Sequence, residues 1–252
     1  MASAKVWRWL ALLSVLINVG FNYIYVSDGT MTTITDTYRT VFRPAGYAFS
    51  IWGIIYISWV IFCIYALLPA QLSNPGLERL SRPVILSSLL SIAWIVAFTA
   101  GNITLSMPLI VAMLIVALLQ LKNATDLVAG SSVSKWLVLL PFSLYAAWLS
   151  VATIANTFIW VSYMGWQGTA GQEQIWGIAL VVAAGIIGSE VALRFRNPFF
   201  PLVIAWASLA LWVEQAAQFR SFGITCLTVA VVMVILSIYD FARQWPERKM
   251  VL

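Results

Sequence analysis

The sequence contains no histidine and very little charge. Among its 252 residues, Lys, Arg, Asp and Glu together make up 9%, whereas a soluble globular domain carries about a quarter. The absence of histidine excludes bis-histidine haem ligation, histidine-based zinc sites, Ser-His triads and histidine proton relays. Because 62% of the residues are hydrophobic, the composition predicts an all-α polytopic membrane protein.

Cysteine is also scarce. Cys63 and Cys226 both lie inside apolar runs, so we expect two free thiols and no disulfide framework. The N-terminal region places Lys5 and Arg8 before an apolar run, but it lacks an A-x-A-type cleavage site. We therefore interpret this region as an uncleaved first transmembrane helix.

Long hydrophobic runs fill most of the chain and predict eight transmembrane helices. The connections between them are short, and the longest, residues 28–46, is rich in threonine. The predicted spans lie near residues 6–27, 47–68, 83–101, 107–124, 139–163, 174–193, 199–218 and 222–242.

The distribution of basic residues predicts the orientation. If the N-terminus is cytoplasmic, eleven basic residues fall in cytoplasmic segments, and the three outside are Arg39, Arg43 and Arg220. Such a bias follows the positive-inside rule and predicts that both termini are cytoplasmic. The membrane we expect is a bacterial inner membrane. The net charge of +5 thus indicates topology and contact with lipid headgroups, not nucleic-acid binding. The cytoplasmic set is Lys5, Arg8, Arg79, Arg82, Lys122, Lys135, Arg194, Arg196, Arg243, Arg248 and Lys249.

The thirteen tryptophans separate into two groups. Those at predicted helix ends are typical of the interfacial aromatic belt. The others share helix faces with further aromatic residues: Trp52 lies four residues before Tyr56, and Trp94 four before Phe98. The belt residues are Trp7, Trp9, Trp136, Trp166, Trp176 and Trp245.

The fifth predicted helix adds Trp148, Asn156 and Trp160 on roughly one face. An asparagine within a membrane helix normally faces a partner in the bundle. Helical rise places Trp52, Trp94 and Asn156 about 7–11 Å below the outer ends of their helices. We therefore expect one aromatic site in the outer half of the bundle, although a purely structural aromatic core stays open.

These spacings resemble those of the TspO/MBR family, the translocator protein or tryptophan-rich sensory protein family. The resemblance covers roughly residues 6–166, and the asparagine usual in the family's third helix is Ser91 here. The matching residues are Pro44, Trp52 and Tyr56; Ala93, Trp94 and Phe98; and Pro141, Trp148, Asn156, Trp160, Gly165 and Trp166.

The resemblance implies a five-helix membrane core over residues 1–166. The remaining predicted spans add a three-helix membrane unit over residues 167–252, which the family's five-helix core lacks. The resemblance also implies a non-enzymatic receptor or carrier with a regulatory or stress-related role. The expected ligand is planar and hydrophobic: a tetrapyrrole such as protoporphyrin, or a sterol-like or benzodiazepine-type molecule, with no cofactor required. The predicted ligand-binding residues are Phe49, Trp52, Tyr56, Trp94, Phe98, Trp148, Asn156 and Trp160.

Three alternatives remain open from the sequence. A small-molecule transporter is disfavoured because neither intramembrane acid, Glu190 or Glu214, lies near the midplane. A structural or pigment-contacting subunit of a larger membrane complex would also explain the indoles. An enzyme is disfavoured by the residues, although the porphyrin breakdown credited to the family leaves that possibility open.

Further expectations concern pairing and packing. Glu190 is expected to pair with Arg194, and Glu214 with Arg220 or the lipid headgroups. Ala184 and Gly188 form a small-x-x-x-small step that favours close helix packing, either onto the core or in a homodimer.

Overall fold

The computed structural model describes residues 2–27, 30–38, 40–131, 133–166 and 168–244, and these ranges contain helices and no β-strand. The predicted all-α membrane class is confirmed. The α-helices are α1 (Ala2–Ser27), α2 (Thr30–Thr37), α3 (Ile51–Leu67), α4 (Pro75–Thr99), α5 (Ile103–Gly130), α6 (Lys135–Tyr163), α7 (Ala170–Phe195), α8 (Phe199–Gln215) and α9 (Arg220–Gln244).

A helix occupies each of the eight windows predicted to span the membrane. In addition, the threonine-rich connection contains the short helix α2, which the hydropathy pattern did not predict. Within the described ranges, six helices are long and apolar enough to cross a bilayer: α4 to α7, α9, and α3 together with the preceding 3-10 turn Gly46–Ser50. Because α8 has 17 residues and α1 is not among the six, spans at those two positions stay predictions.

Polar side chains cap several helix starts. Asn74 accepts hydrogen bonds from the backbone amides of Gly76 and Leu77 at the start of α4, and Asn102 accepts one from Leu105 at the start of α5. Thr169 and Gln172 form a reciprocal capping box at α7. These caps bind amide groups that have no partner within the helix, and so define where the helices begin.

The chain divides into two compact units. The first unit comprises Met1–Tyr38 and Ser50–Leu149, and the second comprises Arg39–Phe49 and Ser150–Leu252. Helix α6 therefore contributes its N-terminal half to the first unit and its C-terminal half to the second. The domain boundary predicted at residue 166 stays a prediction.

In the first unit, α1 packs against α3 and α4, and α4 packs against α5. The side chain of Arg8 in α1 is buried and donates hydrogen bonds to four backbone carbonyls. These carbonyls belong to Ala66, Gln71, Leu72 and Asn74, with donor–acceptor distances of 2.5, 2.8, 3.4 and 2.8 Å respectively. Arg8, which the sequence placed among the cytoplasmic charges, thus ties α1 to the connection between α3 and α4.

In the second unit, α7, α8 and α9 pack against one another, and small residues on α7 lie close to side chains of α9. A Cβ atom at Gly188 would lie 2.7 Å from the sulfur of Met233 in α9, and one at Gly177 would lie 2.9 Å from the Phe222 ring. Ala184 is also buried. The small-residue step on α7 therefore serves helix packing inside the second unit.

The tryptophans at helix ends differ in exposure from those on shared helix faces. Trp9 is 54% exposed and Trp176 59%, whereas Trp52 is 9% exposed and Trp148 1%. Trp245 lies outside the described residues. The exposed group accordingly fits an interfacial belt, and the buried group belongs to the protein interior.

Candidate ligand site

Trp52 lies at the centre of an aromatic cluster in the first unit. Its ring stacks on Tyr56, with the ring centroids 5.6 Å apart, because the two residues are four positions apart on α3. Trp94 of α4 and Trp148 of α6 lie 6.5 and 6.3 Å from Trp52, the latter nearly perpendicular to it. These separations fall in the range favoured by aromatic pairs. Trp94 in turn stacks on Phe98 at 5.3 Å.

Five of the eight predicted site residues therefore come together in this unit, from three different helices. The other three, Phe49, Asn156 and Trp160, belong to the second unit. Of these, Asn156 is buried, whereas Phe49 and Trp160 are partly exposed. Their participation in a ligand site stays a prediction from the sequence.

Two residues of the cluster were missed by the sequence reasoning: Trp59 and Tyr145. The Tyr145 ring lies 4.5 Å from Trp59 and 6.4 Å from Trp52, and both residues are fully buried. The signal was present, since Trp59 is seven residues after Trp52 on α3 and Tyr145 three residues before Trp148 on α6. Each lies on the same helix face as a predicted site residue.

The side of the cluster formed by Tyr56 and Tyr145 is polar. The Tyr56 hydroxyl has Ser91 of α4 and Asn22 of α1 as polar neighbours, and the Tyr145 hydroxyl has Ser87. Ser87 donates a hydrogen bond of 3.0 Å to the side-chain carbonyl of Gln120 in α5. Ser91 takes the position where the resemblance expected an asparagine, so a short hydroxyl replaces a longer amide beside Tyr56.

The chemistry available to this cluster is that of recognition. Its indole, phenol, phenyl, hydroxyl and amide groups can stack on a flat molecule and exchange hydrogen bonds with it. None of the residues named in the cluster carries a formal charge at neutral pH. The arrangement therefore suits a ligand that presents an uncharged planar surface.

A different kind of site occupies the second unit. A polar cavity of about 480 Å³ is lined by the connection after α2, the start of α7 and the end of α8. Arg43 forms an ion pair with Glu214, in place of the Arg220 partner that the sequence led us to expect, and contact of Glu214 with the headgroups stays a prediction. Contacts made in the folded bundle decide this pairing, because Arg43 and Glu214 are far apart in the sequence.

Further hydrogen bonds hold the cavity wall together. Gln215 donates to the backbone carbonyls of Thr40 and Arg43 at 3.3 and 2.9 Å, and Glu173 accepts from the backbone amide of Val41 at 3.3 Å. Through these contacts, polar side chains hold the connection after α2 against α7 and α8. By contrast, Glu190 pairs with Arg194 at 2.8 Å on the surface of α7, as predicted.

Comparison with known proteins gives a match that covers most of the chain. A family model described as TSPO-like protein matches residues 5–239. The match extends through α7, α8 and most of α9. No curated protein and no solved structure gives a significant match to the chain.

Proposed function

Since the chain belongs to the TSPO-like protein family, we propose that it is an integral membrane receptor or carrier for a planar hydrophobic ligand. The ligand class is a tetrapyrrole such as protoporphyrin, or a sterol-like molecule. The binding wall is the aromatic cluster of the first unit, centred on Trp52. A regulatory or stress-related role accompanies this activity in the proposal.

The observation that supports the proposal is the convergence of rings around Trp52. Tyr56, Trp94, Tyr145 and Trp148 all have ring centroids within 6.5 Å of it. Stacking against several rings binds a flat molecule without requiring charges in the membrane. A transporter coupled to ions would need an intramembrane acid, and Glu190 and Glu214 are each paired with an arginine.

The experiment is a protoporphyrin titration followed by tryptophan fluorescence in detergent. We expect saturable quenching in the wild type and weaker binding in Trp52→Leu. Loss of one aromatic contact removes about 0.5–1.5 kcal/mol of binding free energy, in addition to the contribution of the buried apolar area. This corresponds to a several-fold loss of affinity.

The matched control is Trp9→Leu, which changes an exposed tryptophan of the same unit. This variant should retain the wild-type binding curve, and it corrects for quenching by porphyrin dissolved in the detergent. Equal losses in Trp52→Leu and Trp9→Leu, or no loss in either, would refute the aromatic wall.

The proposal includes an orientation in which both termini are cytoplasmic. Cysteine introduced at Thr33 or Gly171 should then react with a membrane-impermeant maleimide in intact cells. Cysteine at Ser73 or Gly130 should react only after the cells are opened. The reverse labelling pattern would show that the positive-inside bias of this chain was misread.

A further inference from the structure

Besides Nε of Arg8, three hydrogen-bond donors in the first unit have directions fixed by their side chains and no partner among the described atoms. They are the amide nitrogens of Asn18 and Gln120 and the indole nitrogen of Trp59. All three side chains are completely buried. A native interior rarely leaves such donors unsatisfied, because each forfeits its hydrogen bonds to water.

Neighbouring hydrogen bonds determine which atoms of the Asn18 and Gln120 side-chain amides remain without a partner. Asn22 donates to the side-chain carbonyl of Asn18 at 2.8 Å, and Ser87 donates to that of Gln120 at 3.0 Å. Since both carbonyl oxygens are occupied as acceptors, the NH₂ groups remain as donors. The indole nitrogen of Trp59 can only donate.

Hydroxyl groups connect these donors into one cluster. The hydroxyls of Tyr56, Tyr145 and Ser91 are buried and likewise have no partner at hydrogen-bond geometry among the described atoms. Tyr145 packs on Trp59 and has Ser87, the partner of Gln120, beside its hydroxyl. Tyr56 has Ser91 and Asn22 beside its own. Four helices and the first half of α6 thus surround one polar region next to Trp52.

We propose that this donor cluster, formed by Asn18, Tyr56, Trp59, Ser91, Gln120 and Tyr145, is a subsite for a neutral oxygen acceptor of the bound ligand. The acceptor is a ketone, amide or ester carbonyl. The assignment rests on the proposed function, and it adds that a ligand filling the subsite carries a neutral carbonyl at the end directed into the first unit. Protoporphyrin, whose carbonyls are those of carboxylates, would stack on the aromatic wall without filling this subsite.

A neutral acceptor fits better than a carboxylate because the six side chains supply no positive charge. Burying an anion without a cation is far more costly than burying a carbonyl that receives hydrogen bonds. The buried cation of this unit, Arg8, already donates to four backbone carbonyls. The cluster therefore offers several donors and no counter-ion.

The test compares two neutral porphyrins that differ in their acceptors. Protoporphyrin dimethyl ester carries ester carbonyls, whereas etioporphyrin has the same macrocycle with alkyl substituents only. Binding of each porphyrin is measured by quenching of tryptophan fluorescence in the wild type, in Trp59→Phe and in Tyr145→Phe. Trp9→Phe and Tyr239→Phe are matched controls at exposed positions.

We expect each cluster variant to bind the ester about two- to tenfold more weakly, as expected for one lost hydrogen bond. Binding of etioporphyrin should not change, and the two control variants should bind both porphyrins like the wild type. Equal losses for both porphyrins would overturn the subsite, since they would show an effect of shape alone. Unchanged ester binding in the cluster variants would also overturn it, while leaving the proposed function in place. Failure of the wild type to bind either porphyrin would refute the proposed function and this assignment with it.

A measurement without ligand gives an independent reading. If the Tyr145 hydroxyl is unpaired in the free protein, Tyr145→Phe loses no hydrogen bond and should unfold no earlier than the wild type. A lower midpoint, with Tyr239→Phe unchanged, would show that the hydroxyl has a structural partner and would overturn the proposal.

Discussion

The two compact units of this protein use their interior polar groups in different ways. In the second unit, Arg43, Glu214 and Gln215 form ion pairs and hydrogen bonds that fasten a connection to α8. In the first unit, donors such as Trp59 and Gln120 lie buried beside an aromatic cluster without partners among the described atoms. Satisfied polar groups stabilise a fold, whereas buried unsatisfied ones are rare in native proteins and require a specific explanation.

Arg8 departs from this contrast, because both terminal guanidinium nitrogens of this first-unit side chain donate hydrogen bonds, although its Nε has no partner among the described atoms. Replacing it with leucine leaves four backbone carbonyls without this donor, in one buried and three partly buried hydrogen bonds. We expect Arg8→Leu to lower the free energy of unfolding by at least about 1.5–3 kcal/mol, the value of hydrogen bonds to a charged group. Thermal unfolding in detergent measures the effect.

Arg82→Leu is the matched control for that change. Arg82 pairs with Glu78 one helical turn away, and its side chain is mostly exposed. Such a pair contributes only about 0.3–0.5 kcal/mol. If both variants lost the same stability, Arg8 would be no more than an ordinary surface cation.

The packing of α7 in the second unit predicts a somewhat smaller effect. In Gly188→Leu, the new side chain must displace Met233, whose sulfur lies 2.7 Å from the position of the first added carbon. Overpacking of this kind costs about 1–3 kcal/mol. The midpoint of unfolding should fall accordingly.

Gly53→Leu provides the comparison, because no atom lies within 4 Å of a Cβ built at Gly53. Leucine also favours helix over glycine, so this variant should be as stable as the wild type or more so. Equal destabilisation at both glycines would show that α7 and α9 are not closely packed.

The ion pair of the second unit predicts the smallest effect. Arg43 and Glu214 are both partly exposed, at 26% and 30% of their side-chain surface. Removing the charge with Glu214→Gln should therefore cost about 0.2–1 kcal/mol, and less at high salt. A double-mutant cycle with Arg43→Leu isolates the pair. A coupling of several kcal/mol would mean that the pair is more deeply desolvated than its exposure indicates.

Local patterns in the sequence predicted much of the architecture. Each of the eight windows located by hydropathy holds a helix, and four-residue spacings placed Trp52 with Tyr56 and Trp94 with Phe98 on common faces. Both predictions succeed because the length of a helix, and the face of the helix on which a side chain lies, depend on residues nearby in the chain. The resemblance of these spacings to one family was likewise confirmed by a match over residues 5–239.

Contacts between helices required the tertiary structure. The sequence does not show that Arg8 reaches the end of α3, that Glu214 pairs with Arg43, or that Tyr145 packs on Trp59. Partners of this kind lie from tens of residues to more than 170 residues apart in the chain. Likewise, the sequence left open which surface the small residues of α7 pack against. The sequence by itself thus determined an all-α membrane protein of this family with aromatic helix faces. Only the packing of helices decided which faces meet and which polar atoms are left without a partner, because both depend on side chains brought together from distant parts of the chain.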